Sequence, residues 1–272
     1  MRSDILLREQ KVGAFPFRLG TTSYILPADI VPNVEFLAPL VDDVELVFFE
    51  SDKLSNLPDA AVIEQLVELK GDHRLSYTVH LPLDIHLGSS DEVTRTRSVE
   101  KCRRIMDVTG PLAPFAYIIH FHGERRGKEP AHDIERWRSA LDRSTEELLL
   151  SLSDVAPKLL CVETLDYPFD YVSDIVSRHG LSVCLDVGHL AFYGYPVQDH
   201  LDTYMAQTRV IHLHGNSDGT DHKDIGMLDP EIIAMLTNRL AWEGERERVL
   251  TLEVFGRTAF NRSMEIMRRL VE

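Results

Sequence analysis

Cysteine is scarce in this chain: three residues in 272, Cys102, Cys161 and Cys184, with no Cys-x-x-Cys spacing among them. An odd and scattered set argues against a disulfide framework and a thiolate zinc ribbon, and reads as reduced core thiols in a cytoplasmic protein. Positive charge is also in short supply, with 29 Lys and Arg against 44 Asp and Glu and a formal net charge of -15. Gripping a nucleic-acid duplex takes a concentrated basic face that displaces counterions, so no DNA duplex is expected as a partner. No apolar run approaches the roughly 18 residues that span a bilayer, and Met1 to Gln10 is too charged for a signal peptide, so no membrane partner is expected either. Long charge runs, low-complexity tracts and internal linkers are missing as well. A single folded domain over residues 17–272 is therefore expected behind an N-terminal extension at 1–16, and the oligomeric state is left open.

What is present is a repeated package, a short apolar run that finishes on His, Glu or Asp. Phe17 to Thr22 is the first strand, with Gly20 allowing close backbone approach. Val44 to Phe49 ends at Glu50, Leu75 to Val79 at His80, and Phe115 to Ile119 runs into His120-Phe-His122. Leu159 to Val162 ends at Glu163, Ser182 to Leu185 at Asp186 with His189 three residues on, Val210 to His214 carries His212 and His214, and Val249 to Leu252 ends at Glu253. Between these runs lie stretches of helical period, at 27–40, 58–70, 89–110 behind a Ser89-x-x-Glu92 capping box, 133–154, around Tyr171 to Val176, from Asp229-Pro230 onward, and at 258–270. A polar loop covers 216–228. Near-continuous apolar strands imply a parallel sheet covered on both faces, and eight strand and helix pairs predict an α/β chain closed into a (β/α)8 TIM barrel, with an open doubly wound sheet as the alternative.

In such a barrel the strand ends share one rim, where active sites of this architecture are built. A lone histidine there is more often a hydrogen-bonded rim residue than a ligand, and a lone Glu50 reads as a solvated loop acid; number tips the balance, because most of the twelve histidines fall at predicted strand ends or just beyond. Imidazole and carboxylate donors without cysteine suit divalent zinc, manganese, cobalt or iron. A carboxylate such as Glu163 can bridge two ions about 3.5 to 4 Å apart. Pairs two residues apart on a strand, His212 with His214 and His120 with His122, project to one face, so one member can ligate while the other supports it or moves protons. Arg125, Arg126 and Lys128, the basic cluster on this rim, suit one or two phosphates of a small-molecule substrate, and Tyr24, Glu50 and His86 are further candidate substrate contacts.

His80-Leu-Pro-Leu-Asp-Ile-His-Leu-Gly88, the Glu163 strand end, Asp186-Val-Gly-His189, Ile211-His-Leu213, His222-x-x-x-Gly226 and Glu253 resemble, in this order, the metal-binding motifs of the xylose-isomerase-like barrel superfamily, which includes metal-dependent apurinic/apyrimidinic endonucleases and sugar isomerases and epimerases. The resemblance implies one ion on His80, His120 and Glu163, and a second among Glu163, Asp186, His212 and Glu253. It implies a third on His189 and His222, where Thr220 stands in place of the family's Asp and Asp221 is displaced by one. One to three ions per chain are thus expected, two being favoured. Phe15 to Ile25, Pro27 to Ile30, Val41 to Glu45 and Thr78 to Asp84 look most like the cobamide-remodelling phosphodiesterases, enzymes that cleave the phosphoribosyl linkage of the nucleotide loop. The implied activity is metal-dependent phosphoester hydrolysis, with Glu163 bridging and Glu253, His122 or His214 handling protons; the alternative is a metal-dependent sugar or sugar-phosphate isomerase or epimerase.

Overall fold

A strand that is apolar on both faces stays dry only if a second layer covers one side and a closed barrel interior takes the other. In the computed structural model, which describes residues 15–50, 54–152, 155–242 and 247–270, the chain meets that condition with eight parallel strands: β1 (Arg18–Thr22), β2 (Asp43–Val47), β3 (Ser76–His80), β4 (Ala116–Ile119), β5 (Leu160–Glu163), β6 (Ser182–Asp186), β7 (Thr208–Leu213) and, after a small antiparallel hairpin β8 (Gly215–Ser217) and β9 (Thr220–Lys223), β10 (Val249–Leu252). They close in the order β1-β10-β7-β6-β5-β4-β3-β2. The surrounding helices are α1 (Ile30–Leu37), α2 (Ala60–His73), α3 (Glu92–Thr109), α4 (Ile134–Ser151), α5 (Ser173–Arg178), α6 (Val187–Tyr193), α7 (Val197–Tyr204), α8 (Pro230–Trp242) and α9 (Arg257–Arg269). The fold is thus a single-domain TIM barrel, as the strand and helix alternation predicts. Among the described residues no helix is long and apolar enough to cross a membrane.

Side chains alternate along each strand between the helix layer and the barrel interior. Inside, Ala116, Ile118, Cys161, Cys184, Val210 and Val249 form a small buried cluster. Two residues further along the same strands the inward positions become His120, Glu163, Asp186, His212 and Thr251, with Asp186 paired to His212 and Thr251 to His212 across the sheet. The interior therefore changes from small and apolar to ionisable within one step of the pleat, and that step sets the floor of the site.

Several local expectations need correction. β2 starts at Asp43 and stops at Val47, so Phe48 and Phe49 leave the sheet and Glu50 makes only an isolated antiparallel bridge to Ser55. α3 is capped by Asp91, whose carboxylate accepts from the Thr94 N–H at 3.0 Å, rather than by Ser89. α4 ends at Ser151; residues 153 and 154 of the expected helix, like residues 1–14 of the expected extension, lie outside the described residues. The polar loop at 216–228 contains the β8–β9 hairpin, which carries Asp221 and His222 back over the barrel.

Candidate metal centre

His80 closes β3. Its Nδ1 donates to the Leu81 carbonyl at 2.8 Å, so the tautomer is fixed and Nε2 presents a lone pair 3.4 Å from Glu163 Oε2. His120, just past β4, brings Nε2 to 2.7 Å from the same oxygen, while its Nδ1 lies 3.3 Å from His122 Nε2. Glu163, at the end of β5, is 1% exposed. Its other oxygen, Oε1, faces a second group: His212 Nδ1 is 3.7 Å away, and that nitrogen also lies 3.0 Å from Glu253 Oε2 and 4.0 Å from Asp186 Oδ2. Two buried ligand groups thus share one carboxylate, His80, His120 and Glu163 on one side and Glu163, Asp186, His212 and Glu253 on the other.

Behind His212 stands a residue that the sequence reading passes over. Glu45, fully buried on β2, accepts from His212 Nε2 at 2.9 Å, which fixes the ring with Nδ1 turned toward the carboxylates. The signal was available: Glu45 is the one charged residue in the apolar run Val44 to Phe49, and a buried charge needs a partner.

A third group forms where α6 starts directly at the end of β6. Asp186 caps that helix, its Oδ1 accepting from the His189 N–H at 2.8 Å, and its Oδ2 lies 2.9 Å from His189 Nδ1. Gly188 makes room for His214: a Cβ there would sit 2.5 Å from the imidazole ring. His214 is fully buried beneath Asp186, with Nδ1 accepting from the His222 N–H at 3.1 Å and Nε2 3.3 Å from Asp186 Oδ1, so it orients that carboxylate from below. His222 adopts a left-handed backbone (φ 54°) and stacks on His214 at 4.3 Å between ring centroids. Asp221 comes to 3.0 Å from His222 Nδ1 and 3.9 Å from His189 Nε2, whereas Thr220 is exposed. The carboxylate one residue late in the motif nevertheless stands between the two histidines.

The electrostatics of the centre call for positive charge. Burial alone would raise the Glu163 and Glu253 carboxyls; the imidazoles of His120 and His212 beside Glu163, and of His212 and His222 beside Glu253, outweigh it and hold both well below the usual range. Burial likewise opposes charge on His222, but Glu253 and Asp221 lift it to about 9. His122 goes the other way: burial, with His120 and Arg126 nearby, lowers it to about 3, so it stays neutral. Among the described residues, Asp186 Oδ2, His212 Nδ1 and Glu253 Oε2 are buried without a hydrogen-bond partner even though they lie close together. One ligand atom from each of Glu163, Asp186, His212 and Glu253 lies within 4.8 Å of the others, close enough to surround one ion. The mixed nitrogen and oxygen donors there fit divalent cations.

Above the ligands opens a cavity of about 250 Å³ onto which His80, His120, His122, Glu163, His189, His222 and Glu253 face. Arg126 lines it and also a neighbouring cavity of about 230 Å³ that holds His86 and Arg125. Three expected substrate contacts stand elsewhere. Glu50 is tied to Arg104 at 2.7 Å and to Ser55 at 2.6 Å. The Lys128 ammonium lies over the Tyr195 ring at 5.6 Å. Tyr24 packs behind Phe49, with ring centroids 5.6 Å apart. A larger concavity, about 660 Å³ between the α6–α7 turn and α8, contains none of the ligand groups, so volume alone does not mark the site.

A family model described as xylose isomerase-like TIM barrel matches residues 41–270. The probable endonuclease 4 of Mycobacterium ulcerans (strain Agy99) is 24% identical over 168 residues, 57% of this chain, and the chain spans 66% of that relative's length. Among solved structures, a D-tagatose 3-epimerase-like protein superposes with a TM-score of 0.76 at 20% identity, covering 93% of this chain and 96% of that one. Endonuclease IV from Thermus thermophilus superposes with a TM-score of 0.68 at 20% identity, covering 93% and 98%. At such identities the superpositions show a shared fold, common to proteins named as endonucleases and as epimerases. The match over residues 41–270, on a closed eight-stranded barrel, shows that the chain belongs to the xylose isomerase-like TIM barrel family.

Proposed function

We propose that this protein is a divalent-metal-dependent phosphoesterase that hydrolyses a phosphoester in a small molecule, with two ions as its working complement and zinc, manganese, cobalt or iron as the metals its donors suit. One observation carries the reading: His80 and His120 meet on Glu163 beside the group Glu163, Asp186, His212 and Glu253, so the ligand set exceeds what one ion needs. When bound, a pair of ions supplies positive charge to the phosphoryl oxygens and acidifies a water. The chain does the rest. Arg126, exposed at the cavity edge, orients the phosphate as a planar cation. His222 faces the cavity 3.4 Å from Glu253 and is placed to pass a proton to the leaving oxygen. His122 is too weak a base to take a proton at neutral pH and serves to hold the His120 ring. Similarity of the Phe15 to Ile25 and Thr78 to Asp84 stretches to cobamide-remodelling phosphodiesterases makes the phosphoribosyl linkage of the cobamide nucleotide loop the first substrate to try.

The test is to strip the purified chain of metal, reload it with zinc, manganese or cobalt, and assay cobamides, sugar phosphates and abasic DNA. Turnover of a small phosphoester that chelation abolishes and metal restores is the expected result; absence of metal-dependent turnover on all three substrates overturns the proposal. The isomerase or epimerase reading rests on the fact that Glu163, Asp186, His212 and Glu253 suffice for one ion, with Glu163 and Glu253 as paired carboxylates for proton exchange. Solvent deuterium at a sugar carbon, together with a metal content near one per chain, would favour it.

A further inference from the structure

We infer that the mouth of the metal cavity is built for a phosphoester whose phosphate is joined to a flat, apolar body, the body lying on Phe49, Leu83 and Phe255 and the phosphate beside Arg126. This names the substrate class of the phosphoesterase reading and rests on it. Exposed apolar side chains are ordinary when scattered singly. Here three of them, Phe49 at 36%, Leu83 at 57% and Phe255 at 47% exposure, line one cavity together with the ligand groups. They come from the loops after β2, β3 and β10, and those strands adjoin one another around β1. Deeper on the same arc, Val47, Phe48 and Leu81 continue the apolar wall. The opposite arc, after β4 to β7, carries Arg126, Asp166, Tyr193, Asp221 and His222. The mouth is therefore divided, apolar on one side and charged on the other.

The apolar side is braced in place. Asn56 accepts from the Phe49 N–H at 2.6 Å and donates to the Val47 carbonyl at 3.1 Å and to the Tyr24 hydroxyl at 3.0 Å, and Tyr24 backs the Phe49 ring. Phe255 leans on His222 at 5.4 Å between centroids. Aromatic faces held open at a cavity suit a planar partner, which gains area and stacking at little cost in ordering. Across the mouth, Arg126 forms no hydrogen bond or ion pair among the described residues, so its guanidinium is available to an anion. A bare sugar phosphate would satisfy Arg126 and leave the apolar arc uncovered.

Titration calorimetry on the manganese-loaded full chain with two probes, adenosine 5′-monophosphate and ribose 5-phosphate, isolates the effect, since they share phosphate and ribose and differ in the flat base. The nucleotide should bind about tenfold tighter or more. Leu83→Ala, which removes a mostly solvent-facing side chain, and Phe49→Ala should each erase most of that preference while leaving ribose 5-phosphate affinity within about twofold, and Arg126→Ala should weaken both probes. Equal affinity for the two, no binding of either, or equal losses for both in the Leu83 variant would overturn the inference. Because the readout is binding, the two failures are distinguishable: a nucleotide preference without any phosphoester turnover removes the phosphoesterase reading and leaves the mouth only as a binding site for a flat phosphorylated ligand, and turnover without the preference removes this inference alone.

Discussion

Asp43 and Glu163 are both buried carboxylates on barrel strands, one where the strands begin and one where they finish. Asp43 Oδ2 accepts from Ser76 Oγ at 2.5 Å, and among the described residues its Oδ1 has no hydrogen-bond partner; burial pushes its carboxyl up to about 6. Glu163 is as deeply buried, yet His120 and His212 outweigh burial and hold it well below the usual range. Burial is common to both ends of the barrel; the imidazoles stand at one. The start of the barrel accommodates a proton, and its finish gathers the candidate cation ligands. Among the described residues, the atoms without a hydrogen-bond partner make the same distinction, because those at the upper end, Asp186 Oδ2, His212 Nδ1 and Glu253 Oε2, lie close together.

Substitutions can break this contrast from either side. The largest effect should follow Glu163→Gln, which removes the carboxylate common to both ligand groups: metal content measured by mass spectrometry should fall below two per chain, and turnover should drop by on the order of a thousandfold. Unchanged metal content would show that the upper end does not depend on its shared oxygen pair. Next, Glu45→Ala removes the acceptor that fixes His212, so metal affinity should weaken by about 10 to 100-fold. Glu45→Gln, which retains an oxygen able to accept from Nε2, should recover part of that loss, whereas a merely space-filling role for Glu45 would predict full recovery of affinity with Glu45→Leu.

The smallest effect sharpens the lower end. Asp43 has a folded pKa near 6 against an ordinary value of 3.8, so its contribution to stability is intact below about pH 4 and is lost as pH rises toward 6 and above. At neutral pH the ionised form costs on the order of 3 kcal/mol. Asp43→Asn should therefore raise resistance to urea at about pH 7.5 and leave it nearly unchanged near pH 4. A variant destabilised at both pH values would mean that the Ser76 contact outweighs burial.

The ends of strands were legible because residue type changes there abruptly: His80, Glu163, Asp186, His212 and Glu253 each follow a dry run, and all of them converge. The barrel was legible for the same reason, since eight apolar runs alternating with helical periods have few ways to stay dry. Contacts made by loops were harder to read. Glu50 looks like a strand end but leaves the sheet early and pairs with Arg104, and Tyr24 supports Phe49 instead of lining the cavity. Loop direction depends on contacts such as those of Asn56, which no local pattern announces.

The sequence by itself determined the parallel barrel and which candidate ligand residues would meet, because strand periodicity fixes which residues share a face and parallel strands place their ends on one rim. Only the tertiary structure decided that Glu45 stands behind His212, that Asp221 reaches between His189 and His222, and that the mouth divides into an apolar and a charged arc. Those relations join strands and loops far apart in the chain. They are set by barrel closure and by the left-handed turn at His222, both of which are properties of the folded chain.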